Sequence, residues 1–452
     1  MTDKSSFEKF REWVANSSTL KLLGIGFILL ILLIPIEMVR DIIQERQYYQ
    51  FDVQQEITSS WGHEQVIEGP VLTVPYEVTT FVRTTEDKTE EIKTRHFAHF
   101  LPETLDYSGA LNIDTLHRGI YSVNVYTANM KISGSFAEQS VEDWQNENVE
   151  ILWDKCQISI GIPDQRGVQE ELFLNWNDEK VAFSSGIKYQ GLIKEGVSAL
   201  IDLSDSTNRS CAFNMDLELR GSNRFGLSPL GKVSTANISS SWKDPKYFGE
   251  FPPDYRNDPN ESGFEAKWKI LHLNRSIPQS FTDVNFNSNQ YVYGVEIFEE
   301  VGEYRKTERS AKYAVLFIAL TFVTFFFIQI IRKVQLHALQ FIIVGLALCL
   351  FYVLLLSLSE YIGFNWAYAI AASAVVVQIT WYVKHIFNNS KLSIIVMAIL
   401  GLLYFFIFTL VQLANYSLLM GSIGLFIVMG VLMYMSRNLD WSKKKSEPPV
   451  AS

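Results

Sequence analysis

Cysteine is almost missing from this chain, with three in 452 residues. So sparse a set excludes a disulfide-stapled scaffold and a cysteine-rich metal centre. Cys156 and Cys211 fall on strand-like segments and read as two isolated core cysteines, although an oxidising compartment would permit a bridge; Cys349 lies in an apolar run. The short patterns that carry common chemistry are absent too: HExxH, CxxC, the P-loop, GxGxxG and GxSxG do not occur. His96-Phe97-Ala98-His99 suggests metal ligands at first glance. Residues three apart on a strand point to opposite faces, so these two imidazoles are not expected to share an ion. Carboxylates are numerous, but no spacing pairs two of them for acid–base work, and no nucleophile–base arrangement is visible. No catalytic, metal-binding or cofactor-binding residue is therefore assigned, and the chain is expected not to be an enzyme.

What the chain has instead is long apolar runs. Tyr313–Ile331, Leu336–Leu358, Gly363–Val383, Leu392–Leu413 and Tyr416–Met435 are 19–23 residues each, the length a helix needs to cross about 30 Å of hydrocarbon. A sixth run, Leu20–Met38, stands alone near the N-terminus. It offers no small-residue cleavage site around Leu33-Ile34-Pro35-Ile36-Glu37 and reads as an uncleaved anchor. The fold class is thus a membrane α-helical protein with six transmembrane helices, arranged one plus five. A large β-rich extracytoplasmic domain is inserted between helices 1 and 2. The expected divisions are a cytoplasmic N-terminus (1–18), helix 1 (19–39), a periplasmic domain (40–310), a five-helix bundle (311–436) and a cytoplasmic tail (437–452).

Lys4, Lys9, Arg11, Lys21, Arg332, Lys333, Lys384, Lys391, Arg437 and Lys443 to Lys445 would all lie on one side if both termini are cytoplasmic. Arg305, Lys306, Arg309 and Lys312 break the pattern by crowding the outer end of the second span. Long loops translocate largely regardless of charge, so the short loops decide the orientation. Residues 40–310 hold 26 Lys and Arg against 42 Asp and Glu, a net −16, while the remainder is +6, together giving the chain's −10. A domain this acidic is a poor partner for nucleic acid. The bilayer is the one partner implied; envelope or periplasmic proteins are possible partners of unknown identity.

Within the insert, Glu45–Ser59 reads as a helix continuing out of the first span. The period then changes to two at Tyr121, Val123 and Val125, at Cys156, Ile158 and Ile160, and most clearly from Cys211 to Leu219. Gly69-Pro70, Ser133-Gly134, Asp164 to Gly167 and Pro252-Pro253 read as turns. Antiparallel sheets in a sandwich or two packed layers are expected, with a possible seam at Lys180–Gln190.

Polar groups in the spans are the first candidates for function because burying them is costly. They are few: Gln329, Gln340, Gln378 and Gln412, with Lys312 and Glu360 at outer ends. Glu37, three residues before Arg40, reads as half of an exposed local pair. Lys312 and Glu360 share a depth, which makes an interfacial pair plausible. Lys312, His337, Gln340 and Glu360 are the candidates for a structural junction that holds the bundle's geometry.

Arg309-Ser310-Ala311-Lys312-Tyr313-Ala314-Val315-Leu316-Phe317-Ile318 strongly resembles the CreD family of bacterial inner-membrane proteins. So do Leu336-His337-Ala338-Leu339-Gln340-Phe341 and Phe351-Tyr352-Val353-Leu354-Leu355-Leu356-Ser357-Leu358-Ser359-Glu360. Outside the bundle, Gly69-Pro70-Val71-Leu72, His99-Phe100-Leu101-Pro102-Glu103, Gly263-Phe264-Glu265-Ala266-Lys267-Trp268 and Arg437-Asn438-Leu439-Asp440-Trp441 extend the likeness over essentially the whole chain. The resemblance implies an envelope-integrity or stress protein, linked to a two-component regulatory system and to altered colicin tolerance, with no enzymatic reaction. Where the family commonly has glutamate and proline, this chain has Gln329 and Ala338. The expected function is non-enzymatic support of the cell envelope at the inner membrane through the periplasmic domain. The alternative is a small-solute transporter or channel formed by the bundle. A hydrolase in the inserted domain ranks third, and a polar cluster in a deep cleft would revive it.

Overall fold

Apolar residues at every second position of Cys211–Ser222 form a strand whose burial alternates almost without fault, which seats one face in a core. The computed structural model that contains it describes residues 18–83, 89–138, 148–177, 179–204, 210–257, 263–282, 286–297, 303–332, 336–413 and 416–437. Both tails, with many of the lysines used for orientation, and the loop at Ala414–Asn415 lie outside the described residues. The chain divides into two units: Phe51–Glu300, and Met1–Gln50 together with Val301–Ser452. These bounds differ from 40–310 because residues flanking the insert are helical and pack with the bundle.

The longer strands of the first unit are β1 (Gln65–Arg83), β2 (Thr89–Phe100), β3 (Thr104–Arg118), β4 (Tyr121–Phe136), β5 (Cys156–Gly161), β6 (Gly196–Ile201), β7 (Cys211–Ser222), β8 (Arg224–Leu227), β9 (Val233–Ser240), β10 (Phe264–Leu271) and β11 (Tyr293–Glu296). Among the described residues they belong to two sheets of ten and eight strands. β1 lies between β8 and β5 in the first sheet and pairs along most of its length with β2. The second sheet runs β10–β9–β3–β4–β7. One core joins them, from Ile67, Leu72, Ile158 and Phe225 on one side to Tyr107, Met130, Leu217 and Trp268 on the other. The Tyr107 hydroxyl crosses the layer to donate to the Gly69 carbonyl at 2.7 Å.

Two packed layers are as expected, but the pairing is not purely antiparallel. β3 runs parallel to β9, and the first residues of β1 run parallel to β8. Parallel neighbours need long connections, and alternation within a strand carries no trace of which neighbour it will take. Two expected turns are also strand. Ser133-Gly134 lies inside β4, where a glycine lets backbones approach closely. Gly69-Pro70 lies inside β1 at a shift of register between Glu68 and Val71. The expected seam at Lys180–Gln190 falls within the single unit. Cys156 and Cys211 are buried, unbridged thiols in different sheets.

The turn at Asp164 forms as expected and fastens the start of β1. Its carboxylate accepts the His63 N–H at 3.0 Å and the Arg166 Nε–H at 2.8 Å, while Gln65 donates to the Asp164 carbonyl at 2.9 Å. Arg166 and these N–H groups lower the Asp164 pKa to about 2. Because the folded pKa lies below the unfolded one, the stabilisation is complete above about pH 4 and is lost as pH falls through 2. Asp164→Asn should remove about 1–2 kcal/mol of acid sensitivity between pH 5 and 2, discounted for the exposed guanidinium. Parallel acid-unfolding curves for parent and variant would refute this.

Among the described residues, six helices are long and apolar enough to cross a membrane. α1 (Ser18–Trp61) continues well past its apolar run, as the sequence predicts. Ile28, Leu32, Ile36, Val39 and Ile43 form its buried stripe at helical spacing. The stripe meets Gly345, where an added Cβ would lie 2.2 Å from Leu32 Cδ1. After α2 (Glu303–Lys312) come α3 (Ala314–Arg332), α4 (Ala338–Ile362), α5 (Phe364–Phe387), α6 (Ser390–Gln412) and α7 (Ser417–Arg437). Aromatic rings fill the bundle between α3, α4, α5 and α6: Phe317–Tyr404 centroids are 4.4 Å apart, Phe351–Tyr404 4.7 Å and Phe351–Tyr368 5.3 Å.

Candidate functional site

A polar grouping in the helical unit gathers around the ten-residue helix α2. Its sequence alternates a buried face, Tyr304, Thr307, Ser310 and Ala311, with charged positions. A lipid-facing helix has no use for so many charges, and several of them meet a backbone or side-chain partner. The Tyr304 hydroxyl donates to Glu360 Oε1 at 2.8 Å, at the end of α4. Arg46 Nε of α1 lies 3.8 Å from the same oxygen, and the Glu360 side chain is only 11% exposed.

Gly363, at φ 73°, ends α4 and starts α5. The first N–H groups of a helix lack intrahelical partners; here that of Phe364 donates to the Glu303 carboxylate. Arg309 donates at 3.4 Å to the Leu410 carbonyl near the end of α6, where carbonyls are likewise left over. One short helix thus holds the ends of α4, α5 and α6, and Glu360 brings in α1.

The expected Lys312–Glu360 pair is replaced by different partners. Lys312 Nζ lies 3.0 Å from Glu308, one turn back on its own helix, and that ion pair lowers the Glu308 pKa. His337 and Gln340 are at the opposite end of α4. There the Gln340 side chain accepts the His337 N–H at 3.0 Å and caps the helix start. The rise of 1.5 Å per residue puts Gln340 and Glu360 roughly 30 Å apart. Lys312, His337, Gln340 and Glu360 therefore lie at two separate places, not at one junction. Sequence reasoning missed Glu303, Tyr304 and Arg46, and it named Arg309 only as one of a basic cluster. The helical spacing of Tyr304, Thr307 and Ala311 could have shown which face of α2 is buried.

The remaining polar residues of the spans are scattered. Gln329 is buried, Gln378 is exposed, and Gln412 hydrogen-bonds Asn365 at an exposed position. Glu37 and Arg40 form the local pair their spacing predicts, at 2.8 Å. In the β domain, His99 is buried against Thr73 Oγ1 at 3.0 Å while His96 stacks on Tyr76. Among the described residues no group of three His, Cys, Asp or Glu gathers as a metal site would require.

A cleft of about 670 Å³ in the β domain is lined by Glu68, Gly161, Leu192, Lys194, Asn287 and Ser288, among others. Burial raises the Glu68 pKa, and the Ser288 hydroxyl donates to its carboxylate at 3.0 Å. Its described lining contains neither histidine nor cysteine, so Ser288 has a hydrogen-bond acceptor beside it but no imidazole to activate it.

Removing the charge in Glu360→Gln should cost about 1–2 kcal/mol by weakening its hydrogen bond and ion pair. Tyr304→Phe should cost a similar amount. Thermal unfolding of the purified protein in detergent measures both; unchanged melting would mean the cluster does not hold the helix ends.

One apolar helix, an inserted β domain and five further apolar helices define a multi-pass membrane protein. The family model described as "Inner membrane protein CreD" matches residues 17–442. "Inner membrane protein CreD" of Escherichia coli (strain K12) is 31% identical over 415 residues, covering 91% of each chain. The chain belongs to the CreD family.

Proposed function

We propose that this protein supports the integrity of the cell envelope from the inner membrane without catalysing a reaction, and that its β domain does so in the periplasm. Both termini are then cytoplasmic, as the lysines and arginines of the short loops favour. The observation that carries the reading is the size and self-sufficiency of the insert: Phe51–Glu300 is more than half the chain and has its own continuous two-sheet core. A domain of that kind presents broad surface to partners. The bundle serves as its anchor, with α2 fastening the helix ends. For transport the bundle offers little support: Gln378 is exposed, Gln340 and Glu360 sit at opposite ends of α4, and aromatic rings pack between α3, α4, α5 and α6.

The test is leakage of a periplasmic reporter from cells lacking the protein. Rescue would be compared between the intact chain and one in which residues 62–300 are replaced by a flexible linker, checked for equal membrane abundance. Rescue by the intact chain alone is expected. Rescue by the spans alone would overturn the proposal in favour of the bundle.

A further inference from the structure

Beside α1, where it passes the junction of α2 and α3, runs a groove of about 570 Å³. Leu33, Ile36 and Val315 are apolar walls, and Arg40, Lys312 and Glu37 are its polar residues. Arg40 lies seven residues beyond Leu33, about 10 Å further along the helix, and Lys312 precedes Val315 on the chain entering the bundle. The groove is therefore apolar at one end and cationic at the other. An apolar volume of this size at membrane depth does not stay empty, because its lining would forgo dispersion contacts that a hydrocarbon chain supplies.

The cationic end has unused hydrogen-bonding capacity. Arg40 gives one terminal nitrogen to Glu37, but its Nε is buried and has no hydrogen-bond partner. An N–H buried in that way is costly until an acceptor arrives. Lys312 has three donors and gives one to Glu308. Each cation already has a carboxylate near it, so the site is suited to an oxyanion as a hydrogen-bond acceptor more than to net negative charge.

We propose that this groove binds one glycerophospholipid, with an acyl chain along Leu33, Ile36 and Val315 and its phosphate between Arg40 and Lys312. The proposal gives a role to Lys312, one of the four cations at the end of the second span where the charge rule does not place them. Arginine suits phosphate because its planar donors match the oxyanion geometry.

The experiment is native mass spectrometry of the full-length protein in detergent. The protein is delipidated, then offered phosphatidylglycerol, phosphatidylethanolamine or diacylglycerol with identical chains. Retention of one copy of either phospholipid, and at least about tenfold less diacylglycerol, is expected for a phosphate worth two charge-assisted hydrogen bonds. The double variant Arg40→Gln, Lys312→Gln should lose that preference, while Lys391→Gln, at another helix end, should keep it. Val315→Trp fills the groove from a partly exposed position without touching a charge, and should lower retention of all three lipids. Equal retention of diacylglycerol, or unchanged phospholipid retention in both the double variant and the Val315 variant, would overturn the proposal.

Discussion

Arg275→Met should destabilise the β domain by about 3–5 kcal/mol, because it strips hydrogen bonds from several buried acceptors at once. Arg275 is 7% exposed, and its guanidinium serves neutral acceptors. It donates to the carbonyls of Ile277, Leu230 (2.7 Å) and Gly231 (3.4 Å), and to the Gln279 side chain. Gln279 in turn donates to the Pro102 carbonyl at 3.0 Å. Desolvation lowers the Arg275 pKa to about 10, which leaves the group charged at neutral pH. Those carbonyls belong to loops that alternation cannot pair, so the arginine acts as a hydrogen-bonding hub for irregular backbone. Methionine has similar volume and no donors. Denaturant unfolding followed by tryptophan fluorescence would measure the loss, and a change below about 1 kcal/mol would mean water replaces the guanidinium.

The second large effect is expected at Gly134. β4 is paired on both edges, with β3 along one and β7 along the other. A Cβ at Gly134 would lie 2.0 Å from the Thr104 carbonyl oxygen and 2.8 Å from Phe213 Cζ. Neither a paired strand nor a packed ring can retreat far, so Gly134→Val should cost about 3 kcal/mol or more, at the upper end for overpacking. Gly119→Ala is the control. It sits at a hairpin tip with φ 64° and open space around it, so only backbone strain of roughly 1 kcal/mol is expected. Melting temperatures of the two variants should separate clearly; equal losses would show that the strands can part to admit a side chain.

Gly134 also shows where reading the sequence stops. Ser133-Gly134 has turn composition, yet glycine serves equally well where two backbones approach, and the residue type alone does not distinguish the uses. Gly69-Pro70 has turn composition too, and it lies inside β1. Local ion pairs are more legible: Glu37–Arg40 forms three residues apart on a helix, where neighbours meet by geometry. The partner of Glu360 is not legible. Lys312 is the obvious cation at that depth, but Glu308 stands one turn away on the same helix and takes it, leaving Glu360 to Tyr304 and Arg46.

By itself the sequence determined the six apolar helices, the continuation of the first beyond the membrane, and a β domain of two layers. Those features follow from run length and from periods of 3.6 and 2, which are properties of neighbouring residues. Only the tertiary structure decided that β3 lies parallel to β9, that Arg275 serves loop carbonyls, and that α2 fastens the ends of three helices. Such contacts join residues far apart in the chain, and each is settled by competition among many possible partners for the same strand edge, carbonyl or charge.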